Sequence, residues 1–245
     1  MRGIHSGKTK MWTALCIMAA CALLCAGCAD SGVPDNISQN SIVIDKDGKI
    51  TSHIVTEFDE EYYNIDDLKR MMQEDLAAHN TANQTGGTPP IVLESVELME
   101  ENSSSVLVTH SYDCAETYEK YTENRLFYGT IEEAMDAGYD FAGINQMLFA
   151  VNGDSSMNSE ELEAQNMRQK HVIILTDIPD GMMLDEEKDS EYFSYVMSYL
   201  MKSTMVYCPS NALYVSEDAD AVNKKEICTS GLSDETNPTI IVLEK

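Results

Sequence analysis

The chain has few basic residues. Its 245 residues include 16 lysines and arginines against 42 aspartates and glutamates, which gives a formal charge of −26. Nucleic-acid binding requires a basic surface that neutralises phosphates, so this balance excludes nucleic acid as a partner. The same acidity opposes electrostatic attachment to anionic lipid headgroups. It fits either plain solubility or attraction to a cationic partner, such as Ca²⁺, a cationic peptide or another basic partner.

The sequence also lacks the signatures of common catalytic sites. It contains no glycine-rich phosphate loop, and no pair of histidines has metal-site spacing such as His-Glu-x-x-His. The isolated histidines of the chain beyond its first residues are His53, His79, His110 and His171. Carboxylates are so abundant that no pair stands out for acid–base chemistry. The sequence therefore assigns no catalytic residue, no metal ligand and no cofactor-binding residue.

Two acidic segments resemble calcium sites only in part. Residues 45–48 read Asp-Lys-Asp-Gly, which is half of an EF-hand loop, but Val43 and Ile54 occupy positions that need ligands. This segment is therefore interpreted as a hairpin turn. Residues 217–223 contain Glu217, Asp218, Asp220 and Asn223 without the EF-hand glycine or distal glutamate. Weak Ca²⁺ binding and a solvated loop both remain open there.

His110 and Cys114 lie four residues apart, and a Cys–His pair can form a thiolate nucleophile. The pattern nevertheless places His110 at the end of a strand and Cys114 at the start of a helix, so the two share no face. Asp113 between them is interpreted as the N-cap of that helix, in a capping box with Glu116. A hydrolase site here is the weaker interpretation.

The first 28 residues form the strongest local pattern. Arg2, Lys8 and Lys10 precede an apolar and small-residue run over 12–27 that is interrupted only by Thr13, and Cys28 follows it. A basic start, a short apolar core and small residues before a cysteine are typical of an export signal. The run has 16 residues, whereas a membrane-spanning helix needs about 20. A cleaved signal is therefore favoured over a retained anchor.

The sequence Leu24-Cys25-Ala26-Gly27-Cys28 resembles the lipobox of bacterial lipoprotein precursors. In that family, a cysteine after two small residues is modified with diacylglycerol and becomes the first residue after cleavage. The resemblance implies a signal peptide over 1–27 and lipidation of Cys28, although Cys25 stands where an aliphatic residue is usual. Two acyl chains anchor a protein stably where one does not. Ordinary secretion with cleavage near Ala26 is the alternative.

Removal of residues 1–27 leaves 13 lysines and arginines against 42 acids, a formal charge of −29. Residues 28–41 then comprise the lipidated cysteine and a flexible tether rich in Ser, Gly, Pro, Asp and Asn. Residues 42–245 suit a single domain. Besides Cys28, this mature chain contains Cys114, Cys208 and Cys228. A disulfide between Cys208 and Cys228 and free buried thiols are both open.

The pattern beyond residue 42 predicts an α+β fold with a mostly antiparallel sheet, hairpins and several short helices. Hairpins are expected over 42–58 and 91–110, and a helix is expected to begin at Asn64. Capping boxes at Thr130–Glu133 and Asn158–Glu161 predict two more helices, the second reaching Lys170. Further strands are expected over 171–175, 205–208, 212–215 and 239–243, with another candidate at 227–228, and a helix over 193–201.

The domain resembles uncharacterised small lipoproteins of Gram-positive bacteria, and this resemblance implies no activity. Tyrosines are frequent, at 12 of 245 residues, and are interpreted as half-buried core residues rather than a recognition surface. The expected function is a non-catalytic binding or accessory module of the cell envelope, held at the membrane through acyl chains on Cys28. The alternatives are an extracytoplasmic hydrolase and a small substrate-binding component of an importer.

Overall fold

The computed structural model describes residues 37–59, 63–83, 89–99, 104–177 and 202–245. The expected signal peptide, Cys28 and most of the expected tether lie outside the described residues, as does the helix expected over 193–201. Within the described ranges, no helix combines the length and the apolar character needed to cross a membrane.

Strands dominate the described part of the chain. They are β1 (Ser41–Ile44), β2 (Ile50–Glu57), β3 (Ile91–Leu98), β4 (Ser105–Tyr112), β5 (Leu126–Thr130), β6 (Met147–Ala150), β7 (Ser156–Asn158), β8 (His171–Leu175), β9 (Met205–Tyr207), β10 (Ala212–Ser216), β11 (Ala219–Ala221), β12 (Glu226–Thr229) and β13 (Thr239–Leu243). The helices are α1 (Ile65–Asn83), α2 (Ala115–Thr122), α3 (Ile131–Asp136), α4 (Phe141–Ile144) and a 3₁₀ helix (Ser159–Glu163).

The strands form two sheets. One has seven strands in the order β11-β12-β9-β1-β2-β4-β3, and the other has six in the order β5-β8-β13-β10-β6-β7. Every pairing is antiparallel except that of β1 with β9, which is parallel. The expected α+β class with a mostly antiparallel arrangement is confirmed. The parallel pair joins segments far apart in sequence, which local patterns do not reveal.

The central strands β8 and β13 of the six-stranded sheet are buried on both faces, which fits their continuously apolar sequences. In β8, Ile173 and Leu175 belong to a cluster that includes side chains of both sheets. The alternate residues Val172 and Ile174 pack on the opposite face. That second face is covered by α3, α4 and the 3₁₀ helix, which contribute buried residues such as Phe141. This layering holds β5 at the margin of the sheet with packed elements on each side.

The first hairpin forms as expected. β1 pairs with β2 in the register Ile44↔Ile50. The Asp45 carboxylate accepts hydrogen bonds from the backbone N–H groups of Asp47 (2.8 Å) and Lys49 (2.9 Å). Gly48 has φ +81°, a conformation that side chains disfavour. The half EF-hand segment is therefore a hairpin turn, and its first carboxylate binds backbone amides.

The second hairpin, β3 with β4, contains an irregularity that explains its uneven pattern. The register shifts between Leu93 and Ser95, so Glu94 is an extra residue in β3. A bulge of this kind moves the following side chains to the other face. The Glu94 carboxylate accepts a hydrogen bond from the Ser111 hydroxyl at 2.5 Å.

The helix expected to begin at Asn64 is α1, which continues to Asn83. Asn64 Oδ1 accepts hydrogen bonds from the backbone of Asp66 (2.9 Å) and Asp67 (3.2 Å), as an N-cap does. Its apolar face packs on the strands through Ile65, Leu68, Met72 and Leu76.

Two expectations for helices are wrong. The residue that caps α2 is Cys114, which makes no side-chain cap, and Asp113 instead accepts a hydrogen bond from the Thr117 hydroxyl at 2.5 Å. The Asn158–Glu161 capping box is present, but it opens only the short 3₁₀ helix, because the backbone becomes extended at Ala164. A helix to Lys170 does not form.

The cysteines of the described residues are free thiols. In the pairing of β9 with β12, Cys228 lies opposite Met205, whereas Cys208 follows the strand and bonds to the Lys225 carbonyl. Three positions along a strand separate the two thiols by about 10 Å, which exceeds the span of a disulfide. Burial raises the pKa of the Cys208 thiol to about 12, so it stays protonated.

Candidate functional site

A cleft of about 760 Å³ lies beside β5 and is the strongest candidate for a functional site. Its walls come from the turn between β1 and β2, the start of α2, the strand β5 and the residues that follow α3. The lining residues are Lys46, Asp47, Gly48, Cys114, Ala115, Glu116, Glu119, Arg125, Leu126, Phe127, Tyr128, Gly129, Ala137, Gly138, Tyr139 and His171. Pockets of this size are typical of ligand sites.

The N-cap and the C-terminal turn of α3 position one wall of the cleft. Thr130 caps α3: its hydroxyl accepts from the Glu133 backbone at 3.1 Å, and the Glu133 carboxylate accepts from the Thr130 N–H at 2.7 Å. Donation to this carboxylate from the Thr130 N–H and from the Thr130 hydroxyl lowers the pKa of Glu133. The chain then leaves α3 through Gly138, which has φ +102°, and presents Tyr139 to the cleft.

Aromatic rings flank β5 on both sides. Phe127 and Tyr139 pack with ring centroids 5.4 Å apart on the face that carries α3. Tyr128 lies on the opposite face, where its ring centroid is 5.6 Å from that of His171. A Cβ atom built at Gly48 would lie 3.6 Å from the Tyr128 ring, so the hairpin turn rests against it. Burial, with Asp45 and Asp47 nearby, raises the pKa of the Tyr128 hydroxyl.

The charges along the cleft have a slight acidic excess. Three carboxylates (Asp47, Glu116 and Glu119) and two cations (Lys46 and Arg125) line it. Within α2, Lys120 bridges to Glu116 at 2.6 Å. Arg125 bridges to Glu235 at 3.4 Å. Such exposed pairs contribute little to stability, but they set the potential that an approaching ligand meets.

A second, smaller cleft of about 340 Å³ adjoins the first. The two share Arg125, Gly138 and Tyr139, and the smaller one continues to Asp140 and Glu235. Through these shared residues the two clefts form one trough past β5.

A pair of partly buried carboxylates lies outside both linings. Asp177 accepts hydrogen bonds from the hydroxyls of Thr229 (2.8 Å) and Ser233 (2.8 Å). Asp218 accepts from the hydroxyls of Ser216 (2.5 Å) and Thr239. Burial raises the pKa of Asp177, and these hydroxyls act against that rise. The hydroxyls occupy both carboxylates, so the arrangement ties strand ends together.

In the acidic segment 217–223, Glu217, Asp220 and Asn223 are exposed, as in a solvated segment, whereas Asp218 is half-buried. Asp218 also accepts from the Gln146 amide at 3.3 Å, and residues 219–221 form β11. Asn223 accepts from the backbone of Lys225 and Glu226 at 2.8 and 3.1 Å. Among the described residues, no group of three or more His, Cys, Asp or Glu side chains is arranged to hold a metal ion.

The structure does not bring His110 and Cys114 together. His110 is only 1% exposed and faces the aromatic rings of Tyr112 and Tyr121 at 6.1 and 6.0 Å. Its two ring nitrogens have no hydrogen-bond partner within the described residues. Cys114 lines the cleft, and its thiol lies 3.4 Å from the Thr117 hydroxyl. A Cys–His nucleophile does not form there.

Two of the tyrosines pack in the core. Tyr112 and Tyr118 are 1% and 6% exposed, and their rings pack edge to face at 5.2 Å. Tyr62 and the tyrosines at 192, 195 and 199 lie outside the described residues. The cleft residues Tyr128 and Tyr139 were not singled out from the sequence as site residues. Tyr128 lies in a strand and Tyr139 follows a turn. Only the tertiary packing places the two residues in one cleft.

Comparisons of the chain with protein-family models, with curated proteins and with solved structures found no match.

Proposed function

We propose that this protein is a lipid-anchored binding module of the cell envelope, held on the extracytoplasmic face of the membrane by acyl chains on Cys28. The lipobox-like sequence at 24–28 supports the anchor. The observation that supports binding is the cleft beside β5, which combines aromatic rings, carboxylates and cations in one trough. An acidic domain at the end of a tether would meet its partner by electrostatic attraction.

The cleft supports binding better than hydrolysis. A hydrolase needs a nucleophile next to its base, or a carboxylate whose pKa suits proton transfer. Cys114 contacts Thr117 rather than a histidine. Among the described carboxylates, Asp177 has a raised pKa, but it is outside the lining and is bonded to hydroxyls. Glu133, next to the cleft, has a lowered pKa and serves as a helix cap.

The experiment that tests the anchor compares membrane fractions of cells that produce the full chain, Cys28→Ala and Cys21→Ala. Both variants remove one thiol from the first 28 residues. We expect the wild type and Cys21→Ala to sediment with membranes and to incorporate a labelled fatty acid. Cys28→Ala should lose the label. Equal labelling of all three proteins would contradict the proposed anchor.

A further inference from the structure

We infer that the cleft binds a short extended peptide segment of a partner protein by adding a strand to the open edge of β5. This inference rests on the proposed binding function and names the chemical class of the ligand. The relevant strand is at the end of its sheet: β5 pairs with β8 on one side, and the sheet order among the described strands ends there. The residues on its other side line the cleft.

The hydrogen bonds to β8 show which backbone groups of β5 face the cleft. The Thr176 N–H donates to the Arg125 carbonyl at 3.2 Å, and the Ile131 N–H donates to the Lys170 carbonyl at 2.9 Å. Bonded and non-bonded residues alternate along an antiparallel pair. The odd-numbered residues of β5 therefore bond to β8. The N–H and C=O groups of Leu126, Tyr128 and Thr130 point away from it.

Of these three residues, only Tyr128 has an N–H and a C=O that the described residues neither cover nor bond. Leu126 is 2% exposed, so its outward groups are covered. The Thr130 N–H donates to Glu133 at 2.7 Å, and its carbonyl begins the hydrogen-bond ladder of α3, as that of an N-cap residue does. The N–H and C=O of Tyr128 face the cleft, and no described residue bonds to them. An extended peptide offers a carbonyl and an N–H with matching spacing.

The register of such a peptide follows from the faces of the sheet. The residue opposite Tyr128 would point to the same face as Tyr128, because side chains of paired residues share a face. That face carries the turn with Asp47 and Lys46 and the start of α2 with Glu116, so carboxylates outnumber cations there. A lysine or arginine fits there. The residues before and after it would point to the other face, toward the rings of Phe127 and Tyr139, where apolar side chains fit.

Charge favours a basic partner over a second copy of this chain. The chain as a whole carries a formal charge of −26, so two copies repel each other, whereas a basic segment is attracted. The inferred ligand is therefore an extended segment with the pattern apolar–basic–apolar. An edge strand lying in a recess is also protected from indiscriminate pairing, which an exposed edge invites.

The test uses the chain that follows residue 28, produced without a fusion partner. The ligand is the labelled peptide acetyl-Ser-Val-Lys-Val-Ser-amide. Two matched peptides serve as controls. One carries Glu in place of Lys. The other carries a methyl group on the backbone nitrogen of Lys, which removes the hydrogen bond to the Tyr128 carbonyl. Binding is measured by the change in amide NMR signals. We expect the Lys peptide to bind about tenfold more tightly than the N-methylated one, the ratio for one lost hydrogen bond.

The matched protein variants are Tyr128→Pro and Tyr128→Ala. Both lose the ring, but only Tyr128→Pro loses the N–H, and it breaks no bond to β8 because that N–H points away. We expect Tyr128→Pro to bind the Lys peptide about tenfold more weakly than Tyr128→Ala. Equal peptide binding by the two variants, with both folded by circular dichroism, would overturn the inference.

Hydrogen exchange of the Tyr128 amide provides the second readout. It should exchange quickly in the free protein and become protected when the Lys peptide is added. Protection in the free protein would mean that the chain itself pairs with this edge, and protection that grows with protein concentration would identify a second copy. Either result overturns the inference. Equal binding of the N-methylated peptide in the cleft would do the same, yet it would leave the proposed binding function intact.

Discussion

At the residue scale, the buried histidine His110 links stability to pH. Burial lowers the pKa of His110 from its ordinary value of 6.5, and burial also lowers that of His53. The unfolded chain therefore binds more protons than the folded chain once the pH falls below about 6.5. Neutral His110 is compatible with its site, whereas a charged ring there is costly.

We therefore predict that the unfolding free energy decreases as the pH falls from 7 through 6.5 toward 5. Urea unfolding at several pH values measures it. His110→Gln should flatten this pH dependence, and His53→Gln should flatten it to a smaller or equal extent. A pH dependence that is unchanged in the double variant would contradict the assignment.

The Ser233 hydroxyl stabilises the buried carboxylate of Asp177. Ser233 is fully buried and donates to the Asp177 carboxylate at 2.8 Å. Ser233→Ala leaves that buried carboxylate with one donor fewer, which should cost about 1–3 kcal/mol of unfolding free energy. The exposed Ser230→Ala is the control and should change stability by less than about 0.5 kcal/mol. Equal costs for the two variants would show that the bond to Asp177 is not stabilising.

At the scale of elements, the two capping sequences differ in outcome although both fit the same pattern. Thr130 and Glu133 form both bonds of the capping box. Asp113 and Glu116 do not, because the helix begins one residue later, at Ala115 after Cys114. The bond from Thr117 to Asp113 takes the place of the cap.

This contrast gives a direct prediction. Thr130→Ala should lower the unfolding free energy by about 1 kcal/mol, the typical cost of a lost N-cap. Asp113→Ala should lower it by only a few tenths of a kcal/mol, because it removes a single exposed bond. Thermal or urea unfolding measures both. A larger loss for Asp113→Ala than for Thr130→Ala would restore the expectation from sequence.

How much of these elements could be predicted depends on how local their causes are. The first hairpin follows from Asp45 and Gly48 alone, and α1 follows from Asn64 and its apolar face. The bulge at Glu94 interrupts the alternation of apolar and polar residues in β3, but the sequence does not show that a bulge is the cause. The parallel pairing of β1 with β9 joins residues more than 160 positions apart, such as Ser41 and Met205, and no local pattern encodes it.

The cleft was beyond sequence reasoning for the same reason. Lys46, Glu116, Tyr128 and Tyr139 come from a turn, two helix boundaries and an edge strand. Each has an ordinary local explanation, and only the packing of β5 between α2 and α3 brings them together. The sequence carries no motif that would have marked these residues as a site.

At the scale of the whole molecule, the net negative charge lowers the stability of the folded chain. The formal charge of −26 makes the folded chain repel itself, and salt screens this repulsion with a Debye length of about 10 Å at about 0.1 M. We predict that sodium chloride raises the unfolding midpoint and that tetramethylammonium chloride does so equally, since screening does not depend on cation identity. Stabilisation by micromolar Ca²⁺ alone would indicate a specific calcium site instead.

We propose above all that Cys28 carries lipid and holds the acidic domain outside the cell. The decisive measurement is mass spectrometry of the N-terminal peptide of the natural protein. We expect this peptide to begin at Cys28, with the mass of a thioether-linked diacylglycerol added. A peptide that begins at Met1, or an unmodified Cys28 in membrane-purified protein, would contradict it.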